Sequence, residues 1–105
     1  MAEKFNIDEM ATFKDEKMTV KITHDSANFR QLLFCFKAGQ ELPVHSHDVE
    51  SEIIFTIMGG EGVLIEEEKE VEVRGGDVLI GQVRIPHGIR AKTEMKVLVT
   101  ITPPL

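Results

Sequence analysis

Apolar residues in this chain recur at every second position within short segments, and Gly, Pro, Asn or a cluster of charges closes each segment. Alternate residues of a strand face opposite sides of a sheet, so this pattern builds β-strands rather than the wider stripe that a packed helix needs. The segments 18–23, 31–37, 44–47, 52–58, 62–66, 71–74, 78–80, 87–91 and 97–101 are the predicted strands, several of them rich in β-branched residues. Their breaks have chemical causes. Ala38-Gly39, Gly59-Gly60, Gly75-Gly76-Asp77 and Pro86 either supply unusual backbone angles or withdraw a ladder donor. Many short strands joined by close turns predict an all-β sandwich or barrel.

A chain of 105 residues is about one small domain, and no composition shift divides it, so residues 1–105 are expected to form one unit. Residues 1–17 are only loosely patterned; a short helix, an edge strand and an arm laid on a neighbouring subunit all fit them. The net charge of -6 repels phosphate backbones and anionic bilayers, which argues against a nucleic-acid or membrane partner. Cys35 has no second cysteine to pair with and lies among Leu33, Phe34 and Phe36, which suits a buried, reduced thiol. The start of the chain lacks the basic residues and apolar core of a secretion signal, and no run has the length of a membrane span, so a cytoplasmic location is the expectation. The acidic run Glu66–Glu70 is read as a solvated hairpin tip.

Two of the four histidines stand one residue apart, at His45 and His47. On a strand that spacing lets both side chains converge on one point, and neutral imidazole is the commonest nitrogen ligand of first-row transition ions. Glu52 heads an apolar run, Ile53 to Met58, where an ionised carboxylate is costly unless paired or coordinated to a cation. It is the candidate carboxylate ligand. An isolated His-x-His at a loop, with Glu52 merely marking where a strand meets solvent, accounts for the same three letters.

The frame around them is more specific: Gly39, His45, His47, Glu52 and Gly59 spell G-x5-H-x-H-x4-E-x6-G. This segment resembles the first motif of the cupin superfamily. The second motif of that family, G-x5-P-x-G-x2-H-x3-N, aligns with Gly76 to Ala91 and matches at His87. Two departures stand out, Gln82-Val83-Arg84 in place of Pro-x-Gly and Ala91 in place of Asn. Pro86 can still fix the backbone before His87, because proline restricts both its own φ and the residue preceding it.

The resemblance implies a jelly-roll β-barrel binding one divalent ion through His45, His47, Glu52 and His87. Such a ligand set leaves roughly two positions open on an octahedral ion, which suits Mn, Fe, Co or Ni, with Zn at lower coordination. By strand parity Ile54, Thr56 and Met58 share the face of Glu52 and are the predicted pocket wall, suited to a small, mostly apolar or planar organic acid or diketone rather than a highly charged metabolite. Arg84 is a further pocket candidate, able to clamp a substrate carboxylate, with a plain surface role as the alternative. Ile53, Phe55 and Ile57 would then face outward and need cover, from a homodimer or from the N-terminal arm.

Two functional classes follow. One is a metalloenzyme of the dioxygenase, isomerase or hydrolase kind acting on a small oxygenated molecule; the other is a metal- or ligand-binding module without turnover. An empty structural barrel is disfavoured, since clustered polar side chains left unpaired in a core are destabilising.

Overall fold

The structure, a computed structural model, describes residues 2–105. Strands form at all nine predicted places: β1 (Thr19–Asp25), β2 (Arg30–Phe36), β3 (Glu41–His45), β4 (Glu52–Gly59), β5 (Glu61–Glu66), β6 (Lys69–Arg74), β7 (Val78–Gln82), β8 (His87–Ala91) and β9 (Met95–Thr102). They make two antiparallel sheets, one in the order β1-β2-β9-β4-β7 and the other β3-β8-β5-β6. This is the jelly-roll architecture expected from the sequence. Only β3 departs noticeably from its expected range: it begins earlier and ends at His45, and its pairing with β8 shifts register between Leu42 and His45. Pro43 lies within that shift and cannot donate to the ladder, so a bulge is the natural local solution.

The core lies between the sheets. Phe34 and Phe36 of β2, Ile53, Phe55 and Ile57 of β4, and Val97, Val99 and Ile101 of β9 meet Leu64, Val73, Ile89 and Ala91 of the opposite sheet. The β4–β9 register explains which face of β4 turns inward. Ile53 pairs with Ile101, Phe55 with Val99 and Ile57 with Val97, an unbroken apolar row, whereas Ile54, Thr56 and Glu52 oppose Thr100, Leu98 and Thr102. Burying the uniformly apolar row removes the larger hydrocarbon area from water.

That register corrects the expected parity. Ile54, Thr56 and Met58 lie on the outer face of β4, with Met58 43 % exposed, and they do not wall the interior. Ile53, Phe55 and Ile57, expected on a face needing cover, are core residues instead.

Residues 2–17, the described part of the N-terminal segment, lie against the first sheet of their own chain. A one-turn helix, α1 (Ile7–Met10), is capped by the Asn6 side chain, which accepts from the Glu9 N–H. The arm is tied to the sheet by Lys21 Nζ donating to the Met10 carbonyl, Thr19 to that of Thr12, Gln40 to that of Lys14, and by ion pairs Lys96–Asp8 and Lys37–Asp15. Leu33 and Cys35, on the outward row of β2, are fully buried. No helix among the described residues is long and apolar enough to cross a membrane.

The turn from β4 to β5 has no room for a side chain. Gly60 has φ +85° and a Cβ there would lie 2.0 Å from the Glu94 carbonyl oxygen, while Gly76, also at positive φ, faces open space. Replacing Gly76 by Ala should cost about 1 kcal/mol of backbone strain, and Gly60→Ala several times more because the β9 backbone must move. Urea denaturation of the two variants checks this; equal losses would show that the contact at Gly60 is readily relieved.

Candidate metal centre

The bulged end of β3 and the start of β8 bring His45 and His87 side by side as a cross-strand pair, with ring centres 4.7 Å apart. His47 lies just beyond β3 and its ring centre is 5.6 Å from that of His45. His87 is buried, whereas His45 and His47 are exposed at the mouth. An imidazole bound to an ion through one nitrogen at ~2.1 Å has its centre about 3.2 Å away, so neighbouring ligands have centres roughly 4.6–5.3 Å apart. The observed spacings lie close to that range.

The two paired imidazoles are also held in a defined state. His45 Nδ1 donates to the Pro43 carbonyl at 2.8 Å, and His87 Nδ1 donates to the Ile85 carbonyl at 2.8 Å. A carbonyl can only accept, so each Nδ1 carries the proton and each Nε2 keeps its lone pair. Metal-binding histidines are typically oriented in this way.

The expected fourth ligand stands elsewhere. Glu52 is exposed and lines an outer depression with Glu50, Ser51, Gln82, Arg84, Thr102 and Pro103. Arg84 lies 3.6 Å from Glu50 in that depression and does not line the cavity reaching His87. The depression cannot offer the inward carboxylate clamp expected of Arg84. Among the described residues no three His, Cys, Asp or Glu side chains converge on one point in ligating geometry as they stand. The fit to an ion is therefore one of donor type and proximity, with His45 close to both of the other rings. His24, unassigned from the sequence, stacks on Phe29 at 4.1 Å.

Beside His87 lies a cavity of about 290 Å³ lined by Ile53, Phe55, Leu64, Val71 and Leu79, with Glu66 and Gln82 as its other polar side chains. The sequence places Glu66 in a solvated acidic run. In the structure it is indeed exposed, and it also continues the inward row of Leu64 on β5, a parity hidden in the sequence because Val63 and Ile65 are apolar too.

Burial is the largest influence on His87 and holds its pKa below the usual histidine value; the Ile85 carbonyl and Glu66 oppose this, while His45 and His47 add to it. The neutral, ligating form is thereby favoured. In the metal-free protein the unfolded chain binds a proton at this position that the folded chain resists, so stability should decline as pH falls below about 6.5 towards the lowered native value. An NMR titration should place the His87 midpoint below about 6.5, and a midpoint at or above it would contradict this assignment.

Comparison with known proteins agrees with the architecture. The family model for the cupin domain matches residues 32–101. An RmlC-like cupin protein from Desulfovibrio desulfuricans is 42 % identical over all of both chains, with a TM-score of 0.96. TT1209 from Thermus thermophilus is 24 % identical, covering 99 % of this chain and 100 % of that one, with a TM-score of 0.90. A salicylate 1,2-dioxygenase mutant from Pseudoaminobacter salicylatoxidans, in complex with gentisate, shares the fold at 12 % identity and a TM-score of 0.76, over 91 % of this chain and 28 % of its own. A search of curated protein sequences finds no significant match. With two stacked sheets, a histidine cluster where both motifs meet, and a family match over most of its strands, the chain belongs to the cupin domain family.

Proposed function

We propose that this cupin, acting as one domain over residues 1–105, holds one divalent transition ion through His45, His47 and His87 and turns over a small oxygenated organic molecule in the adjoining cavity. The observation that carries the reading is the pair of Nδ1 bonds to the Pro43 and Ile85 carbonyls, which leave two clustered imidazoles with free Nε2 lone pairs. Glu52, expected as a fourth ligand, enters this reading as a surface carboxylate. Three nitrogen donors leave several positions open and suit Fe, Mn, Co, Ni or Zn.

When bound, such an ion would polarise a carbonyl or hydroxyl, acidify a bound water or, if redox-active, engage dioxygen. The chain itself contributes the rest. His87 presents its imidazole at the inner end of the cavity, Phe55 packs near it with ring centres 6.0 Å apart, and the apolar walls exclude water from a ligand lying against them. The same fold in a dioxygenase supports the reading without fixing the reaction. A cytoplasmic setting suits the buried, reduced Cys35.

A homodimer belongs to the same reading. Val78 and Ile80 of the edge strand β7, paired with Thr56 and Ile54, are 57 % and 66 % exposed, an apolar edge open to pairing. Sedimentation should give a dimer mass that Ile80→Lys halves; a monomeric wild type would remove the assembly from the account.

Elemental analysis of protein purified without chelator should give about one ion per chain, with His47→Ala and His87→Ala losing it and Glu52→Gln retaining it. At metal concentrations about 100-fold above Kd the wild type should gain about 2.7 kcal/mol of stability that the histidine variants lack. Wild-type metal content in His87→Ala would sink the assignment, and loss of metal in Glu52→Gln would restore the carboxylate to the ligand set. Release of every bound small molecule unchanged, whichever metal is loaded, would favour a binding module over an enzyme.

A further inference from the structure

Glu66 ends β5 directly across the ladder from His87, on the inward row, and lines the same cavity. Its carboxylate spans the gap between the sheets. A Cβ built on Gly81 of β7 would stand 3.1 Å from Glu66 Oε2, so the missing side chain at Gly81 is what makes room for it. On the outer face of this hairpin Glu70 accepts from Arg90 at 2.9 Å and Glu72 from Lys92 at 2.7 Å, whereas Glu66 is the acidic residue that lines the cavity. Among the described residues no Lys or Arg lies within ion-pair distance of Glu66. Solvent reaches it from the mouth, but on the inner side it faces Ile53, Phe55, Leu64 and Leu79. An acceptor in that position gains from a ligand that brings a donor, and at the short range of the cavity it repels a second carboxylate.

We propose that Glu66 is a specificity-determining residue of this cavity. It accepts a hydrogen bond from the hydroxyl or N–H of a small, neutral, largely apolar ligand and excludes carboxylates. The proposal deepens the functional reading above, because it takes the cavity beside His87 as the place where the substrate lies. The Gly81 contact gives a second handle, since Gly81→Ala would press on the carboxylate without touching the histidines; Ile53 Cγ2 at 3.9 Å is in ordinary contact range.

The test uses phenol and benzoate as probes, matched in ring and opposed in charge, with binding followed by NMR shifts on metal-free and Ni-loaded full-length protein. Wild type should prefer phenol by about tenfold or more in both states. Glu66→Gln should raise benzoate affinity about tenfold and Gly81→Ala should weaken phenol several-fold, while Glu70→Gln, on the outer face, changes neither. Unchanged benzoate affinity in both Glu66→Gln and Glu66→Ala, a wild-type preference for benzoate, or no binding of either probe would overturn the proposal. A Glu66 effect that persists in a chain unable to bind metal would leave this inference standing and remove the metal reading alone.

Discussion

The apolar ladder between β4 and β9 decides which side of every neighbouring strand is inside. Ile53–Ile101, Phe55–Val99 and Ile57–Val97 form a continuous hydrocarbon row at the centre of the five-stranded sheet, and the opposite sheet closes over it. Because strand side chains alternate strictly, a slip of one residue would turn this row to water and bring Thr100 and Thr102 into the core. The placement of the site follows from that choice. Glu52 is excluded from the interior by the same parity that buries Ile53, and the inward positions of β5 and β8 are left to Glu66 and His87.

The polar centre is built where the ladder is least regular. β3 loses its register beside Pro43, and the bulge sets His45 opposite His87, while the turn before β8 supplies the carbonyl that orients the buried imidazole. Both histidines use a backbone acceptor two residues upstream, so their orientation is a local property of the chain. It does not depend on a distant side chain. The cost of burying His87 is moderated because the neutral ring needs only one donor satisfied, and the Ile85 carbonyl does that.

Much of the fold is legible in the sequence because its signals are local: breaks at Gly59-Gly60, Gly75-Gly76 and Pro86 fall where the strands end, and all nine segments pair. Parity is not legible from β4 alone, where Ile53 to Met58 is apolar on both faces apart from Thr56. The clean alternation of β9, with Lys96, Thr100 and Thr102 on one side, carries the answer. Assigning an inward role to Glu52 carries the error on to Ile54, Thr56 and Met58. Glu66 escapes notice for the converse reason, since an acidic run at a hairpin resembles solvated surface and only the three-dimensional neighbour Gly81 reveals the space made for it.

These pieces rest on the claim that the lone pairs of His45, His47 and His87 can serve one cation. X-ray absorption of the Ni-loaded protein tests this most directly, because imidazole rings leave a distinctive multiple-scattering signature beyond the first shell. The account predicts a nitrogen- and oxygen-ligated ion with scattering from about three imidazoles, a signal that His47→Ala loses together with the ion. A spectrum of oxygen ligands alone, or one unaltered by the loss of His87, would contradict it.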